Sequence, residues 1–526
     1  MQPAPSPRSS HLALLLGLAI AALAFAWVFA FGVGFNREGA PSASLSEKLA
    51  HQWQLYERAR AEVIERTQGG GTIRRREWEA LLRPVRQYRW TASDLDQLRR
   101  DHRDRIDATA QEARAASAID LDQVRQDGRV REFSNLLPKG GMLHVHPNGT
   151  LQPETVERLL RLGDPAVGRK RAGYSGGFAK GELAFLDDYP DEFRYLELRA
   201  EDQVRFRALF LLPETTSAFR RFAAVFPLVG LLRQIPELRA WDQICDDFFK
   251  RANAHRVRYV EFTMHVEPSL DALRELEETA RVAQVRYGIT LRVNAAFDRT
   301  AAPQENLARL RRLTEFLAAN PSGVVVGIDL SGNETGYPAL EAGQHLYGYA
   351  QGETASAALL HRTIHAGAGD PRNMRDALLM AAERVGHGTQ AFADPVALEF
   401  AISRRVPVEA NIVSNVRLGY AESFAEHPFL DLLRLGLRVS LSTDDEGILA
   451  TDITNEFAVA IAHTDITYAE VRQLVLNSIE TSFAAHDEKE RLRATVENDL
   501  REFEKLWPTI PHDRQQRDGF APRSSQ

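Results

Sequence analysis

The pattern of hydrophobic and polar positions changes twice along this chain. Residues 12–35 form an unbroken run of apolar residues and glycine without a charge. From about residue 45 to 130, apolar residues recur at helical spacing among many charges, which predicts a set of amphipathic helices. From about residue 133, short apolar, β-branched runs alternate with helical stretches. Apolar strands separated by amphipathic helices are typical of a parallel sheet with helices outside it.

About eight strand–helix units follow one another in this last region. The predicted strands are 141–146, 258–264, 290–296, 324–330, 362–365, 384–387, 406–412 and 437–442. Eight consecutive units fit a closed (β/α)8 barrel, the TIM type of α/β fold, better than an open doubly wound sheet.

The same pattern divides the chain of 526 residues into four parts. These are an apolar segment with a linker (1–44), a helical extension (45–132), the barrel (133–510) and a polar tail predicted to be disordered (511–526). Residues 150–255 are longer than a first strand-to-helix connection needs, so we expect an insertion that covers the mouth of the barrel. We expect the extension to pack on the barrel or on a second subunit of a homodimer.

The apolar run at 12–35 is long enough to cross a bilayer as a helix. A signal peptide usually has a shorter apolar region with a small-residue cleavage site soon after it. Residues 40–43 (APSA) match such a site only weakly. We therefore favour an uncleaved membrane anchor over a cleaved signal; both place the rest of the chain outside the cytoplasm.

Charge and cysteine content narrow the candidate chemistry. The net charge of −7 gives no overall basic character and argues against a nucleic-acid partner. Cys245 is the only cysteine, so the chain forms neither an internal disulfide nor a cluster of thiolates around zinc. A metal site in this protein would have to use His, Asp and Glu.

Candidate ligands stand where predicted strands end, which is the active-site face of such a barrel. His144 and His146 end the first strand, and the alternation of side chains along a strand puts both imidazoles on one face. His365 ends the fifth strand and Asp444 follows the eighth. Histidines and a carboxylate from separate strands are a ligand set suited to zinc, with a position left for water.

Five motifs together resemble the adenosine deaminase family of the amidohydrolase superfamily. They are LPKGGMLHVH (137–146), GIDLSGNE (327–334), IHAG (364–367), RVGHG (384–388) and STDD (442–445). They occur in the family's order, and the resemblance spans roughly residues 137–506 with the long insertion unmatched. The extension and the predicted export are closest in layout to the secreted, growth-factor-related branch of the family.

The resemblance implies a zinc-dependent hydrolytic deamination of adenosine or a related aminopurine nucleoside. It implies that one Zn²⁺ per chain is bound by His144, His146, His365 and Asp444. His387 would orient the attacking water, Asp445 would hydrogen-bond the purine N7, and the backbone at Gly332 would meet N3. Asn148 stands where many members carry an aspartate that helps to hold the ribose.

One departure from the family pattern bears on activity. The family carries a glutamate directly after His-Ala-Gly that protonates the ring nitrogen, and this chain has Ala368 there. Four hypotheses stay open. Two of them replace the glutamate: Asp370 takes over as the catalytic acid after a rearrangement of the loop, or Glu334 enters the site. The other two change the function: the enzyme acts on another amine or amide, or the chain is a catalytically inactive nucleoside-binding or signalling protein.

Overall fold

The computed structural model describes residues 44–67, 73–86, 88, 90–168, 177–213, 219–351 and 360–511. The chain divides into two units, residues 1–51 and 52–526, and the described part of the first is the start of one helix. The predicted apolar segment at 12–35, and all but the first residue of the predicted tail, lie outside the described residues. Within the part of the chain that is described, no helix is long and apolar enough to span a membrane.

Helices fill the predicted extension. They are α1 (Leu45–Thr67), α2 (Arg75–Arg86), α3 (Ala92–Ala115), α4 (Leu121–Gln126) and α5 (Val130–Leu136). Thr91 begins α3 with a reciprocal capping box to Asp94, which satisfies backbone N–H groups of the first turn. The predicted boundary at residue 133 falls inside α5.

The extension packs on the barrel of its own chain. His102 in α3 forms a buried hydrogen bond of 2.7 Å with Glu399, and Tyr56 in α1 stacks on Phe400 with ring centroids 5.0 Å apart. Glu399 and Phe400 both lie on a helix outside the barrel, so the extension covers part of its outer surface.

Parallel strands form the barrel that the sequence predicts. Their bounds are β1 (Gly140–Val145), β2 (Val257–Met264), β3 (Thr290–Asp298), β4 (Val325–Ser331), β5 (His361–Arg362), β6 (His365–Ala366), β7 (Val385–His387), β8 (Pro407–Ala410) and β9 (Arg438–Leu441). One sheet runs from β1 to β5 and the other from β6 to β9, each in sequence order. A parallel bridge between Val145 and Asp444 joins the last strand to the first.

The fifth barrel strand is interrupted, and this explains why nine short strands make an eight-stranded barrel. The Thr363 N–H donates to the Ile328 carbonyl of β4, and the Gly386 N–H donates to the Ile364 carbonyl. β5 therefore pairs with the strand before it and β6 with the strand after it, and the two are halves of the predicted strand 362–365.

The predicted strand 406–412 is too long. β8 ends at Ala410, and Ile412 begins a short helix, α17 (Ile412–Arg417), whose first residues are buried. A short buried helix and a buried strand have the same continuous apolar pattern, so periodicity does not distinguish them.

The remaining helices lie in the insertion or outside the strands. They are α6 (Pro153–Gly163), α7 (Lys180–Leu183), α8 (Ala200–Ala208), α9 (Phe219–Ala223), α10 (Val225–Arg233), α11 (Ala240–Ala254), α12 (Leu270–Tyr287), α13 (Pro303–Ala319), α14 (Ala339–Ala350), α15 (Arg372–Leu379), α16 (Pro395–Ser403), α17, α18 (Phe429–Arg434), α19 (Ile453–His463), α20 (Tyr468–Glu480) and α21 (His486–Leu506).

The insertion predicted at 150–255 is shorter than expected. Its helices build an apolar core of their own that includes Ile448 and Leu449, which follow β9 at the mouth of the barrel. Its last part, α11, is instead an ordinary barrel helix, because Phe248 and Phe249 pack against Phe262 of β2 with ring centroids 5.3 and 5.7 Å apart. Of the glycine-rich segment GYSGG (173–177) inside the insertion, only Gly177 lies within the described residues.

Candidate metal centre

Four side chains from distant parts of the sequence meet at the mouth of the barrel. His144 lies in β1, His146 directly follows it, His365 begins β6 and Asp444 follows β9. One ligand atom from each lies within 4.8 Å of the others. The Nε2 atom of His146 is 3.2 Å from that of His365 and 3.3 Å from Oδ1 of Asp444. The structure thus brings together all four predicted metal ligands.

Partners outside the cluster orient two of the three imidazoles. His146 Nδ1 donates to the Thr263 carbonyl at 3.2 Å, and His144 Nδ1 donates to Oε2 of Glu409 at 2.8 Å. The Nδ1 atom of His365 lies 2.8 Å from Oδ2 of Asp329, but the two groups are not aligned for a hydrogen bond. With its proton at Nδ1, a neutral ring turns the lone pair of Nε2 toward the centre, as a metal-binding histidine requires.

This arrangement fits a divalent cation. Two imidazole lone pairs 3.2 Å apart repel each other unless a positive charge lies between them. Ligands about 2.0–2.1 Å from a tetrahedral zinc stand roughly 3.3 Å apart, close to the observed spacing. The buried Nε2 of His144 has no hydrogen-bond partner among the described residues, so this nitrogen is also available to an ion.

The surroundings of the centre favour the neutral form of two of its histidines and, without a metal ion, the protonated form of the third. Burial lowers the pKa of His146 and takes that of His365 well below its ordinary value, which keeps both rings neutral. Burial also lowers the pKa of His144, but hydrogen bonds and charges from Asp444 and Glu409 outweigh it and raise the pKa to about 10. A proton and a cation therefore compete for the same place beside Asp444.

His387, the predicted catalytic histidine, stands beside the ligands. Its ring centroid is 4.8 Å from that of His144 and 5.0 Å from that of His365. His387 and Asp444 both have left-handed backbones, with φ of 69° and 59°. Side chains other than glycine rarely adopt this conformation, and such strain is typical of functional sites.

The predicted substrate-binding residues Asn148 and Asp445 follow β1 and β9, which are neighbouring strands of the barrel. Asp445 is buried, and its Oδ1 has no hydrogen-bond partner among the described residues. Gly149 packs so closely on it that a Cβ atom there would lie 1.7 Å from Oδ1, so only glycine fits. Asn148, one residue earlier, accepts a hydrogen bond of 3.1 Å from Nη1 of Arg233. The third, Gly332, directly follows β4 and has a φ of 98°.

Both carboxylates considered as substitutes for the missing glutamate are already engaged. Asp370 accepts hydrogen bonds from the backbone and side chain of Arg372, which lower the pKa of Asp370. Glu334 is buried and accepts from the backbone N–H groups of Gly367 and Ala368 at 2.9 and 3.0 Å. The structure therefore places Glu334 against the backbone of Ala368 and Asp370 against Arg372.

The sequence interpretation missed a buried ionic network behind His144. Arg384, directly before β7, donates to Oε1 of Glu409 at 2.6 Å and to Oε1 of Glu261 at 3.2 Å. All three side chains are buried. The available signal was a glutamate in the middle of a predicted strand, in β2 and again in β8, because a buried charge requires a partner.

Comparison with known proteins identifies the family of this chain. The sequence profile of the adenosine deaminase family matches residues 201–499. Adenosine deaminases of Escherichia coli strains, including O1:K1 and HS, are 31% identical over 233 residues. That match covers 44% of this chain and 65% of the relatives, so the chain spans about two thirds of their length.

Solved structures share the fold at low sequence identity. The adenine deaminase of Arthrobacter aurescens superimposes with a TM-score of 0.53 at 22% identity, covering 71% of this chain and 100% of its own. The N6-methyl-AMP deaminase of Arabidopsis thaliana gives a TM-score of 0.52 at 22% identity, covering 71% and 99%. A zinc-containing amidohydrolase from Burkholderia ambifaria gives 0.52 at 22% identity, covering 72% and 95%. With more than half of its length matched by the family profile, the chain belongs to the adenosine deaminase family.

Proposed function

We propose that this protein is a zinc-dependent deaminase that replaces the amino group of an aminopurine nucleoside, such as adenosine, with oxygen from water. The observation that carries the proposal is the convergence of three imidazole nitrogens and one carboxylate within 4.8 Å at the mouth of the barrel. A bound zinc ion would make water a nucleophile near neutral pH. Water then adds at the carbon that carries the amino group, and ammonia leaves.

The chain's own residues would bind the base and direct the water. His387 lies against the ligand histidines and is placed to hydrogen-bond the attacking oxygen. Among the described residues, the buried Oδ1 of Asp445 has no hydrogen-bond partner, and burial raises the pKa of this carboxyl, so its protonated form can donate to the purine N7. We expect Asn148, two residues after the ligand His146, to face the ribose, and Gly332 to offer its backbone to N3.

Ala368 is expected to slow this reaction. General acid catalysis is worth about 10²–10⁴ in rate, and alanine has no proton to transfer. Neither nearby carboxylate replaces the acid freely, because Asp370 is paired with Arg372 and Glu334 is held by three donors. We therefore propose a weak enzyme; the alternative is a catalytically inactive protein that binds nucleosides.

The decisive experiment restores the acid. Purified, zinc-loaded protein is followed by the change in adenosine absorbance beside the variants Ala368→Glu and Ala368→Gln. We expect Ala368→Glu to raise kcat at least about tenfold. Ala368→Gln, which has the same size but no ionisable proton, should give no increase. If neither the natural protein nor Ala368→Glu turns over adenosine while both bind it, the inactive alternative is correct.

A nucleoside monophosphate is a second candidate substrate, and one feature favours it. Arg233, exposed at the end of α10, donates to Asn148 and stands 5.1 Å over the ring of Trp241. Among the described residues no carboxylate lies within ion-pair distance of Arg233, so its charge remains available beside the predicted ribose site. A guanidinium is well suited to phosphate. Among the similar solved structures, two are complexes with IMP and one is a complex with GMP.

The two substrates are distinguished by comparing kcat/KM for AMP and for adenosine. If the substrate carries a 5′-phosphate, Arg233→Gln should lower kcat/KM for AMP about tenfold, the value of one charge-assisted hydrogen bond, and leave that for adenosine nearly unchanged. Arg239→Gln is the control, because Arg239 is exposed nearby but pairs with Asp242. An equal loss for both substrates would argue against phosphate recognition.

A further inference from the structure

A series of buried hydrogen bonds reaches His387 from the side away from the metal ligands. The backbone N–H of Phe429 donates to Nδ1 of His427 at 3.2 Å. Nε2 of His427 is 2.9 Å from Oδ1 of Asn415, and Nδ2 of Asn415 is 2.9 Å from Nδ1 of His387. His427, Asn415 and His387 are all buried.

The hydrogen bond from Phe429 to His427 determines which group donates in each of the other hydrogen bonds of the series. A backbone N–H can only donate, so Nδ1 of His427 must accept and carries no proton. Burial and the neighbouring His387 lower the pKa of His427 to about 3, so the ring is neutral with its one proton on Nε2. Nε2 of His427 therefore donates to Asn415, and the accepting atom of the amide has to be Oδ1.

With Oδ1 at His427, Asn415 presents its NH₂ group to His387. A second amide does the same: Nδ2 of Asn411 is 3.2 Å from Nδ1 of His387 and 3.4 Å from the carbonyl oxygen of Glu409. A carbonyl oxygen only accepts, which orients this amide as well. Nδ1 of His387 thus receives two N–H donors and carries no proton itself.

We propose that His427, Asn415 and Asn411 hold His387 in the tautomer with its proton on Nε2. His387 then faces the metal centre as a hydrogen-bond donor, and its only basic nitrogen is turned away from the attacking water. In the deamination proposed above, on which this role rests, His387 stabilises charge on the attacking oxygen and does not remove its proton.

The tautomer is observed directly by NMR of the full-length protein labelled with ¹⁵N-histidine, with and without zinc. The signal of His387 is assigned by its loss in His387→Gln. We expect a protonated Nε2 and an unprotonated Nδ1 in both states. Asn415→Asp replaces a donor by an acceptor and should move the proton to Nδ1, whereas Asn320→Asp, the same change at a distant helix end, should leave the spectrum of His387 as it is. A proton on Nδ1 of His387 in the natural protein would overturn the proposal.

Measurements of activity distinguish whether Asn415 positions His387 or only stabilises the fold. In serine proteases, the wrong histidine tautomer costs about 10⁴ in kcat. We expect Asn415→Asp to lower kcat at least about 100-fold, with zinc content and KM nearly unchanged. A loss of zinc or a raised KM with kcat retained would mean that Asn415 only stabilises the fold. If the protein deaminates no purine but the spectra show the Nε2 proton, the tautomer assignment stands and the proposed function is wrong.

Discussion

At the scale of the residue, outer partners orient two of the three ligand histidines. A backbone carbonyl accepts from Nδ1 of His146 and Glu409 accepts from Nδ1 of His144, while Asp329 lies against His365 without a hydrogen bond. In His144 and His146 the outer partner takes Nδ1 and leaves Nε2 for the centre. The orientation and protonation of the ligand histidines therefore depend on residues outside the ligand motifs.

Removing one ligand tests the assignment. His365→Ala should leave the protein with far less than the roughly one zinc per chain expected of a site with three histidines and a carboxylate, measured by elemental analysis after dialysis. His361→Ala is the matched control, since His361 is a half-buried histidine of β5 that pairs with Glu383. Unchanged zinc in His365→Ala would show that His365 is not a ligand.

At the scale of the element, Arg384 connects strands from different parts of the barrel. It lies directly before β7 and binds Glu409 on β8 and Glu261 on β2, while its guanidinium stands 3.5 Å over the ring of Phe483. The guanidinium pairs with both buried carboxylates, so neither carboxylate lacks an oppositely charged partner. Because Glu409 also holds His144, the same network links the core to the metal centre.

Arg384→Met should therefore affect both stability and metal binding. Two uncompensated carboxylates in the core are expected to lower the free energy of unfolding by about 3–5 kcal/mol, measured by urea denaturation. A loosened Glu409 should weaken zinc binding about 10–100-fold, measured by competition with a chelator. Arg438→Met is the control because Arg438 is exposed at the start of β9. Similar losses in the two variants would contradict this role.

At the scale of the whole molecule, the barrel carries two additions, the helical extension and the insertion. The extension packs on the outer helices through contacts such as Tyr56 on Phe400. The insertion is tied to the mouth, where the Leu212 N–H donates to the Ile448 carbonyl and the Gly447 N–H to that of Gly149. The insertion therefore contacts the loop that follows Asp444, and Arg233 at the end of one of its helices reaches Asn148.

The strands were predictable to within one or two residues where a run of apolar residues was bounded clearly by polar ones, as in β2 and β3. The interruption between β5 and β6 was not, because it depends on pairing with β4 on one side and β7 on the other. The end of β8 was not predictable either, since the apolar residues that follow Ala410 are buried in a helix.

The sequence by itself determined the barrel and the four candidate ligands, because strand ends converge at one face and the ligand types stand at those ends. Only the tertiary structure decided which nitrogen of each histidine faces the centre, and that Asp370 pairs with Arg372. It also placed His427 behind Asn415 and His387. Protonation and pairing depend on distances of about 3 Å between groups far apart in sequence, and such distances exist only after the chain has folded.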